Sequence, residues 1–114
     1  MRIKGDFVTN SSSTAFIISN DSNLFLTLVD FVKENPELVE QFRQEYGYIN
    51  DQRFTQENMI ESAKENNIDF DPKSEQLCVF GDESGTIVGQ VFDYMLRDGG
   101  SSEHFSWWFD HYER

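Results

Sequence analysis

The stretch LCVFGDESGTIVGQVFDYMLR, residues 77–97, decides the fold class of this chain. It opens with a short apolar run that is typical of a buried strand and continues into a glycine-bounded acidic turn at 81–85. From residue 87 to residue 97 the apolar side chains recur at helical spacing, and two glycines at 99–100 end the pattern. A strand followed directly by a helix predicts a domain that mixes the two.

A β-hairpin is the alternative reading of the same stretch. Its turn would lie at 82–85, and residues 86–92 would form the return strand. The helix is favoured because residues 93–97 extend the periodic pattern beyond the usual length of a strand.

The remaining elements follow from similar patterns. An apolar, partly β-branched run at 15–19 predicts the first strand. Three helical patterns come next: one capped by Asp21 or Ser22 and running to Glu34, one from Pro36 to Gly47, and one from Thr55 to Asn67. The segment 103–112 predicts an aromatic strand, with Phe105, Trp107 and Phe109 on one face and Ser106, Trp108 and Asp110 on the other.

These elements predict an α/β (or α+β) fold in the order β-α-α-α-β-α-β, with a small three-stranded sheet packed against about four helices. The length of 114 residues fits a single domain, 1–114, in which the polar residues 1–14 form an arm or loop. If the strands at 77–80 and 103–112 were parallel neighbours, the helix between them would make a right-handed crossover.

The composition narrows the classes of function. The chain has 21 Asp and Glu against 9 Lys and Arg, and its formal net charge of −12 argues against direct binding to a phosphate backbone. Its 11 Phe, 4 Tyr and 2 Trp indicate a folded chain. Residues 1–7 lack the apolar stretch of a signal peptide, and no apolar run is long enough to span a membrane, so we expect a cytoplasmic protein. The single cysteine, Cys78, fits a reducing compartment.

The opening residues carry a recognisable motif, Phe7-Val8-Thr9-Asn10-Ser11-Ser12-Ser13, followed by Phe16-Ile17-Ile18. It resembles the start of a loose set of small, mostly uncharacterised bacterial and phage proteins, in which Phe-Val-Ser/Thr-Asn precedes four or five serines, a Phe and a short β run. The resemblance covers about the first 18 residues, and Thr14 and Ala15 stand where further serines would be expected. It implies a bacterial, phage or mobile-element origin and no particular activity. By analogy, phage proteins of this size and charge are often inhibitors of host systems.

Acidic side chains form the strongest functional pattern. Glu57, Glu61 and Glu65 follow one another at four-residue intervals, which on a helix stacks three carboxylates about 6 Å apart along one face. Such a column destabilises an isolated helix, and its spacing approximates that of phosphates along a nucleic-acid strand. One interpretation is a surface for a basic partner, extended by Glu37, Glu40, Asp69 and Asp71. The alternative is a solvated helix face that Lys64 partly compensates.

The aromatic strand at the end of the chain is a second candidate. Trp108 and Tyr112 share a predicted face opposite the core, where large aromatic side chains are typical anchors of protein interfaces. The alternative is a central strand that is buried on both faces. A base-stacking platform would use the same residues, but it also needs basic side chains that this acidic chain lacks.

The candidates for catalysis are weaker. His104 and His111 are seven residues apart, so on a regular strand their imidazoles point to opposite faces and cannot share an ion unless a bulge intervenes. The turn with Asp82 and Glu83 lacks the lysine of a phosphate loop. The serines at 11–13 have no identifiable base, and Cys78 lies in an apolar run where a thiol is inert. We therefore predict no catalytic residue, no metal site and no cofactor.

Charge and pattern together favour a small acidic, non-catalytic binding protein, phage or mobile-element encoded. It would inhibit a host protein that handles nucleic acid, such as a CRISPR or restriction nuclease, by occupying its basic surface. One alternative is a small metal-dependent hydrolase that uses Asp82, Glu83 and the histidines. Another is a viral structural or assembly protein that forms homo-oligomers through the aromatic strand.

Overall fold

The computed structural model describes residues 13–81 and 86–113, and for residue 113 it describes the backbone alone. The elements in chain order are β1 Ser13–Asn20, β2 Leu26–Thr27, α1 Leu28–Glu34, α2 Glu37–Glu45, α3 Gln56–Lys64, β3 Asp69–Phe70, β4 Ser74–Gly81, α4 Ile87–Met95, β5 Gly100–Ser101 and β6 Phe105–Glu113. The predicted mixture of helices and strands is confirmed. The helix at 87–95 is confirmed against the hairpin alternative.

The sheet differs from the predicted one. It has four antiparallel strands in the order β4-β1-β6-β5, and β2 and β3 form a separate two-stranded pair. The expectation of three strands and the exact element order are therefore wrong, because each of the three additional strands is only two residues long. β4 and β6 both run antiparallel to β1, which lies between them, so they are not the parallel neighbours that a simple crossover requires.

The helices lie on one side of the sheet, where α1 and α4 contact the strands and where α2 and α3 pack against other helices. This side supplies most of the core. Phe31 of α1 lies at its centre and makes edge-to-face contacts with Phe92, Phe105 and Trp107, with ring centroids 5.3, 5.1 and 5.1 Å away. Pairs of this geometry are favourable beyond the area that they bury. The aromatic residues therefore join α1, α4 and β6 into one cluster.

The helix starts show which local signals decide the structure. Thr55 and Thr86 cap α3 and α4, because their hydroxyl oxygens accept hydrogen bonds from the backbone N–H groups of Asn58 and Gly89 at 3.1 and 3.0 Å. Gly47 has a φ of +79°, the left-handed conformation expected after the end of α2.

The predicted start of the first helix at Asp21 or Ser22 is wrong. The N–H and hydroxyl of Ser22 both donate to Asn20 Oδ1, at 3.0 and 2.7 Å, and this arrangement forms a turn. The helix begins six residues later at Leu28, after Thr27, whose N–H donates to the Asp30 carboxylate at 2.9 Å. Polar side chains at 20–22 therefore stabilise a turn that leads into β2.

A bulge interrupts β6. Ala15 of β1 pairs with His111, whereas the next residue, Phe16, pairs with Phe109, so Asp110 has no partner residue on β1. The bulge reverses the alternation of side chains beyond this point. The predicted face of Phe105, Trp107 and Phe109 is retained, but Tyr112 moves to that face and no longer shares a face with Trp108.

Candidate functional site

The acidic column lies on the solvent side of α3. The helix buries Met59, Ser62 and Ala63 against the rest of the protein, so Glu57, Glu61 and Glu65 are exposed on the other side. Lys64 lies within the column and pairs with Glu61 at 3.2 Å. Glu65 is the C-terminal cap of α3 and has helical backbone angles, so it continues the four-residue spacing of Glu57 and Glu61. Glu57, Glu61 and Glu65 therefore share the exposed side of α3.

The other predicted acidic residues are also exposed, but they lie on different elements. Glu37 and Glu40 are on α2, where Glu40 pairs with Arg43 at 3.2 Å and accepts a hydrogen bond from Gln44 at 3.1 Å. Asp69 is closer to the column, because it lines a small depression together with Lys64 at the C-terminal end of α3. Asp71 follows it in the exposed turn before β4.

Trp108 lies on the face of the sheet that points away from the helices. It is a neighbour of Ile17 across β1 and β6, and Ile17 in turn is a neighbour of Leu77 on β4. Leu77, Val79 and Trp108 remain 48, 50 and 40% exposed and form an apolar strip on this outer face. Trp108 is therefore not brought together with the acidic column. The strip could have been found in the sequence, because Leu77 and Val79 alternate with the buried Cys78 and Phe80.

Tyr112 lies beyond the bulge, on the helix side of the sheet. Its ring is 4.9 Å from that of Phe109, and the guanidinium of Arg97 lies 5.6 Å from its centroid. Arg97 also lies 4.8 Å from the ring of Tyr94 and pairs with the fully buried Asp93 at 3.2 Å. Tyr112 thus borders an aromatic surface that continues onto α4.

Sequence reasoning missed a pocket between α4 and the C-terminal part of α2 with the loop that follows it. Its volume is about 140 Å³, and it is lined by Phe42, Tyr46, Tyr48, Gln90 and Tyr94. The buried Phe42 ring lies 5.3 Å from Tyr46 and from Tyr48, and 6.1 Å from Tyr94. The sequence signal for this pocket was the presence of three tyrosines near the predicted ends of two helices.

A polar cluster surrounds Glu34 at the end of α1. The backbone N–H of His104 donates to Glu34 Oε2 at 2.7 Å, the Ser102 hydroxyl donates to the same oxygen, and His104 Nδ1 lies 2.7 Å from Oε1. Asn35 Nδ2 donates to the Ser102 oxygen at 3.3 Å. Partial burial opposes ionisation of Glu34, but these hydrogen bonds outweigh it and lower its pKa. The bond to Glu34 raises the pKa of His104.

This cluster orients an imidazole but does not activate a nucleophile. The Ser102 hydroxyl donates a hydrogen bond to Glu34, whereas the hydroxyl of a serine nucleophile donates its hydrogen bond to the imidazole that acts as base. His111 lies near the other end of β6, with Nδ1 2.5 Å from Asp110 Oδ2. Within the described residues, no group of three or more His, Cys, Asp and Glu side chains converges to hold a metal ion.

Two further candidates for chemistry are inert or outside the described residues. Cys78 is buried, and this burial raises the pKa of its thiol to about 12, so it remains protonated at neutral pH. Asp82 and Glu83, together with the serines at 11 and 12 and most of the predicted arm, lie outside the described residues.

The chain matches no protein-family model, and comparisons with curated proteins and with solved structures gave no match either. In the described part of the chain, no helix combines the length and the apolar character needed to cross a membrane.

Proposed function

We propose that this chain is a small, non-catalytic binding protein whose acidic α3 surface docks on a basic, nucleic-acid-binding surface of another protein. The single observation that supports the proposal most strongly is the exposed column of Glu57, Glu61 and Glu65 in a chain of net charge −12. An ordered row of carboxylates presents anionic charge to a cationic groove in the way that a phosphate backbone does. Asp69, which lines a depression together with Lys64, extends this surface beyond the C-terminal end of α3.

The proposed mechanism is competitive occlusion. Long-range attraction accelerates the encounter with the basic surface, and close contact with the carboxylates then excludes the nucleic acid. A phage or mobile-element protein that inhibits a host CRISPR or restriction nuclease is the concrete form of the proposal. The outer-face strip with Trp108 lies on the other layer of the protein, so it is available for a separate contact and is not needed for docking through α3.

The test is displacement of a fluorescent DNA duplex from a panel of purified CRISPR and restriction nucleases. We expect the wild-type protein to displace DNA from at least one nuclease at low salt, and raising salt from about 50 to about 500 mM to weaken displacement steeply. Replacing Glu57, Glu61 and Glu65 with Gln should weaken displacement about tenfold or more.

A control variant separates the column from net charge alone. Three exposed carboxylates elsewhere are neutralised to give the same net charge, by the substitutions Glu75→Gln, Asp98→Asn and Glu103→Gln. This control should change displacement less than about threefold. The proposal would lose the α3 surface if the two triple variants lost displacement equally. It would also lose this surface if the wild-type protein displaced DNA from none of the nucleases in the panel.

A further inference from the structure

We infer that the aromatic pocket between α2 and α4 binds a quaternary ammonium head group. Phe42 forms its buried floor, and Tyr46 and Tyr48 form an open rim, with 46 and 37% of their surfaces exposed. Tyr94 closes the side formed by α4, where its ring is 5.0 Å from that of Tyr46. Aromatic rings arranged around a small space attract a cation electrostatically, and this attraction is strongest for an ion that is easily desolvated.

The size of the pocket selects a small group. Its volume of about 140 Å³ is below the range of roughly 300 to 1,000 Å³ that is usual for drug-sized ligands and cofactors. A cavity of about 150 Å³ accommodates a group the size of benzene. A head group of one nitrogen and three methyl groups is of this kind, whereas a nucleotide is far too large.

Two helix ends give the pocket its sign of charge. Phe42 lies in the last turn of α2 with Tyr46 as the residue that caps it, and Tyr94 lies in the last turn of α4. The C-terminal end of a helix carries partial negative charge and favours a cation. Glu45, exposed at the end of α2, adds a full negative charge beside Tyr46.

The same aromatic cluster already holds cations at two margins. The guanidinium of Arg53 lies 5.0 Å from the centroid of Phe54, whose ring is 5.0 Å from that of Phe42. On the other side, Arg97 lies 4.8 Å from Tyr94. Each of these arginines is paired with a carboxylate, Arg53 with Asp51 at 2.7 Å and Arg97 with Asp93 at 3.2 Å. Each of these two positive charges therefore has its own carboxylate partner.

A third arginine, Arg43, lies one turn before Tyr46 on α2. Its guanidinium pairs with Glu40 at 3.2 Å and donates to the carbonyl oxygen of Ile49 at 2.5 Å. Glu40 thus compensates the charge of Arg43, and the guanidinium lies against the loop after α2, which also carries Tyr48. The inference stands independently of the proposed docking through α3, because it uses none of the residues of the acidic column.

The experiment compares choline with its neutral isostere dimethylbutanol, in which carbon replaces the nitrogen. Binding is followed by the chemical shifts of backbone amides in the full-length protein. We expect choline to saturate the shifts of residues around Tyr46 and Tyr48 in the millimolar range, about tenfold more tightly than dimethylbutanol. Equal binding of the two compounds, or no saturable shift with choline, would overturn the inference.

Matched variants test the rings themselves. Tyr46→Leu and Tyr48→Leu keep apolar bulk but remove the aromatic faces, and each should weaken choline binding by about three- to tenfold. Tyr112→Leu removes an exposed tyrosine outside the pocket and should leave binding unchanged. The inference fails if Tyr112→Leu weakens binding as much as Tyr46→Leu does.

A peptide with one N-trimethyllysine distinguishes two sources of the same head group. Tighter binding of this peptide than of choline supports the pocket as a receptor for a modified protein side chain. Equal binding supports a small-molecule ligand recognised through its head group alone. An unmodified lysine peptide that binds as tightly as the trimethylated one would contradict the inference.

Discussion

Glu34 and His104 are 70 residues apart in the chain, yet the imidazole Nδ1 lies 2.7 Å from the carboxylate of Glu34. The same carboxylate accepts the backbone N–H of His104 at 2.7 Å. This contact fixes the end of α1 to the start of β6, and it makes the stability of the fold depend on pH.

The first prediction concerns that pH dependence. The pKa of His104 is raised above 6.5, so the stabilisation by its protonated form is complete below that pH and is lost as pH rises through the raised value. The pKa of Glu34 is lowered below 4.5, so its contribution is present above that pH and is lost as pH falls further. The pair should therefore stabilise the fold most between pH 4.5 and pH 6.5, where both contributions are present.

Thermal unfolding across pH 5 to pH 8 measures this effect. The difference in Tm between wild type and His104→Gln should be largest near the acidic end and should shrink as pH rises. Glu37→Gln, at an exposed carboxylate on α2, serves as the control and should show no such trend. A difference that grows toward pH 8 would contradict the assignment.

The second prediction concerns Asp93, which is fully buried in α4. Its Oδ1 accepts the hydroxyl of Thr14 at 2.6 Å and the guanidinium of Arg97 at 3.2 Å. Asp93→Ala leaves both donors without their acceptor and should lower the free energy of unfolding by about 3 kcal/mol in chemical denaturation. Asp98→Ala, at an exposed position on the same segment, should change it by less than about 0.5 kcal/mol.

The third prediction concerns Phe31. Because its ring contacts Phe92, Phe105 and Trp107 at once, Phe31→Ala should cost about 3 to 5 kcal/mol. Phe25→Ala removes a ring that is 57% exposed and should be nearly neutral. Urea denaturation of the two variants measures the contrast, and similar costs for both would contradict the central position of Phe31.

The fourth prediction concerns Gly100 on the edge strand β5. A Cβ atom there would lie 2.6 Å from Cζ2 of Trp107, whose buried ring is held against Phe31. Gly100→Ala should therefore destabilise the protein by about 1 to 3 kcal/mol, as overpacking does. Ser101→Ala, next to it and exposed, should be within about 0.5 kcal/mol of wild type. A neutral Gly100→Ala would show that Trp107 moves freely.

The long elements could be predicted because their signals are local. The apolar spacing of Leu38, Val39 and Phe42 is sufficient to define α2, and the hydroxyl of Thr55 marks the start of α3. The exposure of Glu57 and Glu61 followed from the same reasoning, since Met59 and Ala63 occupy the opposite side of the helix.

The sheet and the pocket depend on contacts between distant parts of the chain. β2 and β3 are two residues each, and they exist only because Leu26 lies opposite Phe70 across the pair. The pocket requires α2 to lie beside α4, which brings Tyr46 within 5.0 Å of Tyr94. Neither the pairing of β2 with β3 nor the packing of α2 beside α4 leaves a periodic pattern in the sequence. The partner of His104 was missed for the same reason, because its carboxylate comes from α1.

The extra residue at Asp110 sets the phase of the end of β6. If Asp110 were instead paired with Ala15, the alternation of side chains would be unbroken. Each later residue of β6 would then shift by one position along β1, and Tyr112 would turn toward the side that carries Trp108. Arg97 would then lose one of its two aromatic neighbours. Whether Tyr112 lies beside a guanidinium or beside the outer-face strip is thus decided by one residue of β6 that has no partner on β1.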